Sequence, residues 1–131
     1  MNIEIKKGLS EDSSYILCRW SNERGKAFQE QWMGSRISYP LDYEKLKDME
    51  NVFSIFDGEI FLGMIQQIRM EKDNVHIGRF IIDPGKQGRG YGKEALKTFI
   101  KLIFEEKNIN SISLTVFDSN KNAKKVYMGL G

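Results

Sequence analysis

Five stretches of the chain show either alternating apolar and polar residues or clustered β-branched and aromatic residues, and both patterns indicate strands. These stretches cover residues 2–6, 52–56, 60–68, 75–82 and 111–116. The dipeptide Asp57-Gly58 suits the positive φ angles of a tight hairpin turn, and Gly78 inside the fourth stretch indicates a bulge. The second, third and fourth strands are therefore expected to form an antiparallel meander.

Other stretches have the periodicity of helices. From Lys93 to Lys107, apolar residues recur at the i, i+3, i+4, i+7 spacing that gives a helix one buried stripe. Ser10 is a suitable cap for a helix over residues 11–23. Two shorter helices are predicted over residues 41–49 and 120–127, and residues 25–40 are expected to be helix and loop. This order of elements indicates a mixed α/β or α+β layered fold.

The size and composition of the chain narrow its class. It has 131 residues, the usual size of one domain, and its 40% hydrophobic and 29% charged content is that of an ordinary globular protein. A formal net charge of +2 gives no support to nucleic-acid binding. Its apolar runs are far shorter than the roughly 18 residues that cross a bilayer, and its start does not resemble a signal peptide. We therefore expect a single cytoplasmic domain with no membrane or nucleic-acid partner.

Metal and thiol chemistry have little support in the sequence. The chain contains one cysteine, Cys18, and one histidine, His76, so no spacing suggests a metal site, and none is expected. Cys18 lies in the first predicted helix with no histidine nearby in sequence. It is expected to pack as a small hydrophobic residue rather than to act as a nucleophile.

Residues 83–96, which read DPGKQGRGYGKEAL, join the fourth strand to the long helix and contain four glycines. Such a turn presents free backbone N–H groups and the positive end of the helix dipole at one spot. This arrangement binds anions, most often phosphate, and glycine lets the phosphate oxygens reach the amides. Lys86, Arg89 and Lys93 add positive charge.

Two known phosphate-binding motifs do not fit this loop. A dinucleotide fingerprint would need glycine at position 93, where the chain has lysine. A Walker loop would need glycine at position 87 and serine or threonine at position 94, where the chain has Gln87 and Glu94. A plain exposed turn is the remaining alternative, but it would need only one or two glycines.

Residues 87–92 match the Q/R-x-x-G-x-G/A loop of the GNAT superfamily of acyl-CoA-dependent N-acetyltransferases, which also follows a strand and opens a helix. Asn120, Ala123 and Tyr127 match the N-x-x-A-x-x-x-Y pattern of the same family. The resemblance covers residues 51–131, whereas the first 50 residues carry no motif. It implies an α+β fold in which helices flank a central, mostly antiparallel twisted sheet.

The resemblance also implies acetyl-CoA as the acyl donor. The fourth strand would pair with the pantetheine arm, the glycine loop would hold the pyrophosphate, and Asn120 would contact the cofactor near the pantetheine arm. The implied cofactor-binding residues are Phe80, Ile81, Ile82, Gln87, Gly88, Arg89, Gly90, Tyr91, Gly92 and Asn120.

The implied reaction is acetyl transfer to a primary amine, either a small molecule or a protein or peptide N-terminus. Tyr127 resembles the general acid that protonates the leaving thiolate. The alternative is that it is a core aromatic residue of the last helix. His76 is the best candidate for the base that deprotonates the amine, because its ordinary pKa of about 6.5 suits that task. Glu30, Asp73 or a chain of water molecules are alternatives. A non-catalytic acyl-CoA-binding or regulatory module and an unrelated nucleotide-phosphate binder also remain open.

Specificity in this family comes largely from the segment between the first helices, here residues 24–43. Its aromatic residues Phe28, Trp32 and Tyr39 are candidates for the wall of an acceptor pocket. The acidic residues in or next to this segment that could attract a cationic acceptor are Glu30, Asp42 and Glu44.

One departure from the family concerns the C-terminus. The family usually continues from the Tyr-containing helix into a Gly-Phe pair and two more strands, whereas this chain stops at Gly131. The sequence therefore predicts a domain truncated at its C-terminus, without the C-terminal hairpin. Alternatively, a partner chain supplies those strands, as in a homodimer.

Overall fold

The computed structural model describes the backbone of residues 1–118 and 121–128 and the side chains of residues 1–114. Its strands are β1 (Ile3–Lys7), β2 (Val52–Asp57), β3 (Ile60–Glu71), β4 (Asn74–Ile82), β5 (Ser111–Asp118) and β6 (Lys121–Met128). Its α-helices are α1 (Glu11–Arg24), α2 (Lys26–Met33), α3 (Tyr43–Leu46) and α4 (Tyr91–Glu106). None of the helices in this described part is long and apolar enough to span a membrane.

The strands form one sheet in the order β1-β2-β3-β4-β5-β6. All neighbouring pairs are antiparallel except β4 and β5, which are parallel. The α+β fold class and the β2-β3-β4 meander are therefore confirmed. The hairpin turn at Asp57-Gly58 is confirmed as well, since Gly58 has a φ of +60°.

The sheet opens between β4 and β5. Their pairing joins Asn74–Ile77 to Ser111–Leu114 and goes no further. Each strand continues beyond this short ladder, β4 to Ile82 and β5 to Asp118. The two strands therefore diverge like a fork, and within the part of the chain that the structure describes, the continuing edge of β4 that faces β5 has no strand partner.

A β-bulge lies in β4 at the start of this opening. Met64 pairs with Ile81 and Gln66 pairs with Gly78, so Arg79 and Phe80 together face a single residue of β3. Arg79 has a φ of +47°, in the left-handed region that residues other than glycine rarely adopt. The bulge predicted from Gly78 is thus confirmed and lies directly beside that glycine.

Hydrophobic clusters cover both faces of the sheet. One face packs against α4, whose buried residues Ala95, Phe99 and Ile103 confirm the predicted stripe. The other face packs against the first three helices through residues such as Leu17 and Met33. The bulge changes the face of the sheet to which the side chains of β4 point. Before the bulge, Val75 and Ile77 lie on the α4 face. After it, Ile82 lies on the α4 face and Ile81 on the opposite face. The C-terminal end of β4 therefore alternates between the two faces out of step with its beginning.

The first helices agree with their predicted positions. The side chain of Ser10 caps α1 by accepting a hydrogen bond from the Ser13 amide at 3.1 Å. The segment 25–40 resolves into α2 and a loop, with Gly25 and Gly34 as the caps of α2. Cys18 is buried in α1, and burial raises the pKa of its thiol to about 11. The thiol is therefore protonated and uncharged at neutral pH, which agrees with the prediction that Cys18 packs as a small hydrophobic residue.

The prediction of a last helix over residues 120–127 is wrong. Residues 121–128 form β6, which pairs antiparallel with the whole of β5. The hydrogen bonds of this ladder satisfy an edge of β5 that would otherwise be unpaired, while an isolated helix of eight residues is marginal in water. The last two described strands therefore form a hairpin in place of the predicted helix, and the absence of the family's further C-terminal strands stays a prediction.

We expect Gly63→Ala to lower the free energy of unfolding by about 3 kcal/mol, because overpacking against rigid backbone is costly. A Cβ at Gly63 would lie 1.8 Å from the Ile81 carbonyl oxygen. Gly78→Ala is the matched control, because its Cβ would meet only the side chain of Ile68, which is 43% exposed and can move. Urea unfolding of both variants measures the difference, and equal losses of stability would contradict this account of strand packing.

Candidate functional site

The loop between β4 and α4 has the conformation that its glycines allow. The Asp83 carboxylate accepts a hydrogen bond from the Gly85 amide at 2.8 Å, and a 3-10 turn follows at Pro84–Lys86. Gly88 and Gly90 have φ angles of +81° and +83°, and no atom lies within 4 Å of a Cβ built at either position. A side chain would therefore have room at these two positions, and it is the left-handed backbone conformation that favours glycine there.

The N-terminus of α4 has no side-chain cap among the described residues. Gly90 is its N-cap residue, so the backbone N–H groups of the first turn are not satisfied within the helix. A cavity of about 400 Å³, here called the loop cavity, lies at this point. It is lined by Phe80, Ile82, Lys86, Gln87, Gly88, Gly90, Tyr91, Gly92 and Lys93. Amide donors, a helix dipole and two lysines together suit a phosphate group.

Tyr91 fixes the beginning of α4 against the sheet. Its hydroxyl donates a hydrogen bond to the Asp57 carboxylate at 3.2 Å. The Asn2 amide and then the Tyr91 hydroxyl, both hydrogen-bonded to this carboxylate, lower the pKa of Asp57 below its usual value. Asp57 is therefore charged at neutral pH and ties the entrance of α4 to the end of β2.

A second cavity, here called the fork cavity, has a volume of about 320 Å³ and lies where β4 and β5 diverge. Helix α2 contributes Phe28, Gln31 and Trp32 to its wall, and β5 contributes Leu114. The remaining wall consists of Gly78, Arg79, Phe80, Ile81, Ile82 and Gln87. Three residues, Phe80, Ile82 and Gln87, line both cavities, so the two are adjacent along the end of β4.

Most of the predicted cofactor-binding residues lie together at these cavities. All of those in β4 and in the loop line at least one cavity, with the exception of Arg89, which is exposed and lines neither. Asn120 lies outside the described residues. Tyr127 is described only by its backbone, which pairs with Ile112 in the β5-β6 ladder. Their predicted roles stay predictions.

His76 does not lie at either cavity. It is 7% exposed, and its Nδ1 lies 2.7 Å from the Ser113 hydroxyl, within the paired part of β4 and β5. It precedes Ile82 by six residues, which is about 20 Å along an extended strand. The catalytic role predicted for His76 stays a prediction, and its position favours a structural role.

Two of the three aromatic residues proposed for the acceptor pocket line the fork cavity. Phe28 and Trp32 do so, and the Trp32 Nε1–H donates a hydrogen bond to the Ser21 hydroxyl at 2.9 Å. Tyr39 instead lines a separate cavity beside Gln29 and Glu30. Within residues 24–43, helix α2 is therefore the element that lines the fork cavity.

Sequence reasoning missed Arg79, which lines the fork cavity from the bulge of β4. The signal in the sequence is a single arginine next to a glycine in an otherwise apolar strand end. Burial lowers the pKa of the Arg79 guanidinium from its ordinary value, and nearby Arg36 lowers it further. Within the described residues, no group of three or more His, Cys, Asp or Glu side chains could hold a metal ion.

Similar proteins of known sequence are amine acetyltransferases. Over 57 residues the chain is 37% identical to the "Spermine/spermidine N(1)-acetyltransferase" of Bacillus subtilis (strain 168) and to the "Probable spermine N(1)-acetyltransferase" of Bacillus subtilis subsp. natto. The matched stretch covers 44% of this chain and 38% of each relative, so it spans well under half of their length.

Solved structures share the fold. The acetyltransferase (GNAT family) from Bacillus anthracis superposes with a TM-score of 0.65 at 18% identity, covering 88% of this chain and 70% of that one. The PaiA N-acetyltransferase from Thermoplasma acidophilum, solved in complex with coenzyme A, gives a TM-score of 0.58 at 19% identity and covers 88% and 80%. Residues 17–131 match the acetyltransferase (GNAT) family. The chain therefore belongs to the acetyltransferase (GNAT) family.

Proposed function

We propose that this chain transfers an acetyl group from acetyl-CoA directly to a primary amine. The observation that carries the proposal is the pair of adjacent cavities along the end of β4, joined by Phe80, Ile82 and Gln87. One cavity has the donors and charge for a diphosphate, and the other is lined largely by apolar and aromatic side chains. A molecule with a phosphate end and a reactive acyl end fits both.

The donor would extend from the loop cavity to the fork cavity. Its pyrophosphate would accept hydrogen bonds from the uncapped amides of α4 and face Lys86 and Lys93. The pantetheine arm carries amide groups, which can pair with the edge of β4 that β5 leaves free beyond Ile77. The thioester would then lie in the fork cavity, against the wall provided by α2.

The acceptor amine would attack the thioester carbonyl carbon, forming the new C–N bond, and the C–S bond would break. A backbone N–H of the bulged end of β4 is suited to stabilise the carbonyl oxygen as it becomes negative. No covalent enzyme intermediate is needed, and the buried, protonated Cys18 is unsuited to form one. Acetyl-CoA and amine would give the acetylated amine and free CoA.

Two protons must move during this transfer. The ammonium form of the acceptor loses a proton before attack, and the leaving thiolate gains one. Among the described residues that line the fork cavity, none is a base at neutral pH. We therefore propose that the amine loses its proton to water, which is one of the alternatives to His76 that the sequence left open beside Glu30 and Asp73. Tyr127 stays the sequence-based proposal for the donor to the thiolate, although its backbone pairs with Ile112, level with Val75 and His76 rather than with the end of β4.

Release of free thiol from acetyl-CoA, measured with a thiol-reactive dye across a panel of amines and peptide N-termini, tests the function. Mass spectrometry of the acceptor identifies the acetylated product. We expect thiol release that requires both acetyl-CoA and an amine. A folded sample that binds acetyl-CoA but acetylates no amine would contradict the proposal and favour the non-catalytic binding module.

Tyr127→Phe tests the proposed general acid. We expect kcat for acetyl transfer to fall by about 10- to 100-fold, because the thiolate loses its proton donor, with unchanged affinity for acetyl-CoA. An acetyl donor with a more acidic leaving thiol should recover part of the lost rate, since its thiolate needs no proton. Equal rates for the variant and the wild type would exclude Tyr127 from this role.

A further inference from the structure

The charge of the fork cavity points to a class of acceptor. Arg79 is the one ionisable side chain among the described residues that line this cavity. The acidic residues considered for a cationic acceptor lie elsewhere: Glu30 lines a separate cavity, Asp42 caps α3 and Glu44 pairs with Lys47. The described wall of the fork cavity therefore carries positive charge and no carboxylate.

The Arg79 guanidinium is held in one orientation by hydrogen bonds to two distant parts of the chain. Its Nε donates a hydrogen bond to the Met33 carbonyl at the end of α2, at 2.9 Å, and its Nη1 donates to the Gln66 Oε1 at 3.1 Å. The Gln66 amide is itself fixed, because its Nε2 donates to the Glu50 carbonyl at 2.9 Å. Arginine side chains held in this way lose little further freedom when they bind a planar anion.

The position of Arg79 carries free-energy costs that no ion pair among the described residues offsets. All of the named contacts of Arg79 are to neutral groups, and no carboxylate of the described residues lies within ion-pair distance of it. The Arg79 backbone at a φ of +47° destabilises the folded state, and partial burial of its charged guanidinium without a carboxylate partner among the described residues adds a further cost. The field of Arg36 adds to the same positive charge. An anionic ligand would offset these costs.

On the basis of the proposed function, we propose that the acceptor is a small primary amine that also carries a carboxylate, as an α-amino acid does. The carboxylate pairs with Arg79, and this places the amine in the fork cavity beside the thioester. A polyamine would instead bring several positive charges against Arg79 and Arg36. The acceptor of this chain therefore differs in charge from the spermine that the Bacillus subtilis relatives are named for.

The test compares each of a panel of α-amino acids with its own amide, which keeps the amine and the side chain but removes the negative charge. Spermine and putrescine are included as cationic acceptors. For the wild type we expect kcat/KM to be at least about tenfold higher for the amino acid than for its amide, the value of one charge-assisted pair. Both polyamines should be poorer still.

Variants then assign the preference to Arg79. Arg79→Gln should bring the ratio of amino acid to amide close to one, and Arg79→Lys should keep part of it. The ratio is measured on a single preparation, so a lower folded fraction in either variant cancels. Arg69→Gln is the control, because Arg69 is an exposed arginine of β3 that pairs with Glu71 and lines neither cavity.

The possible outcomes separate this inference from the proposed function. Preference for amides or polyamines, with acetyl transfer intact, would overturn the carboxylate inference alone. A ratio unchanged in Arg79→Gln would also overturn it and would mean that Arg79 only braces the bulge. Loss of acetyl-CoA binding or of all acetyl transfer in the wild type would overturn the proposed function and the inference with it.

Discussion

Gly90→Val is expected to weaken acetyl-CoA binding by about 30-fold or more. Gly90 caps α4 with a φ of +83°, and a left-handed conformation costs other residues about 1–2 kcal/mol, with β-branched side chains at the upper end. The loop would relax to another conformation, and its amides would no longer converge on the pyrophosphate. Calorimetric titration with acetyl-CoA measures the loss.

Gly8→Val is the matched control for this variant. Gly8 has a φ of +93° and open space around its Cβ position, so the backbone strain is comparable, but it follows β1 and lines neither cavity. We expect it to lower stability without changing the affinity for acetyl-CoA. If both variants lost affinity equally, the loop would have no special part in binding.

The double variant Lys86→Glu/Lys93→Glu is expected to weaken acetyl-CoA binding by about 30- to 100-fold at low ionic strength. Both lysines line the loop cavity, so reversal of their charges replaces attraction for the pyrophosphate by repulsion. Because these lysines are partly or fully exposed, salt should screen the effect, and the loss should shrink as the ionic strength rises.

Lys101→Glu/Lys107→Glu carries the same change in net charge. These lysines lie eight or more residues beyond Lys93, which is about 12 Å or more along α4 and comparable to or longer than the Debye length at physiological salt. At physiological salt we expect this control to change the affinity less than threefold, and the two double variants are compared at that ionic strength. Comparable losses for the two double variants would show that net charge, rather than the loop cavity, controls binding.

The parts of the site that sequence could predict depend on short-range patterns. The glycine loop is recognisable because left-handed φ angles and a helix start are set within a few residues of Gly88 and Gly90. Helix α4 is recognisable from its single buried stripe. Local rules also identified the cap at Ser10 and the turn at Gly58, since each depends on its own neighbours.

Other parts depend on contacts between distant residues and could not be predicted in this way. The orientation of Arg79 comes from the Met33 carbonyl, 46 residues away, and from Gln66 on the neighbouring strand. The bulge also shifts the alternation of β4 between Ile77 and Ile82, so the face on which His76 lies does not follow from its spacing to Ile82 in the sequence.

The last segment shows the same limit. The helix predicted over residues 120–127 rests on the local pattern of the sequence, and residues 121–128 have too weak a periodicity to identify their secondary structure. What decides their conformation here is hydrogen bonding to the free edge of β5, which no local pattern reveals. The β5-β6 hydrogen bonds therefore decide the conformation of this segment, and the predicted helix does not form.

The central claim is that the loop and fork cavities together bind acetyl-CoA, and calorimetric titration of the purified chain tests it most directly. Acetyl-CoA and CoA are compared with ATP and NAD, which carry phosphates but no pantetheine arm. The account predicts binding of the two CoA compounds with one site per chain and at least tenfold tighter than ATP or NAD. A folded sample that binds ATP or NAD as tightly as acetyl-CoA, or that binds none of them, would contradict it.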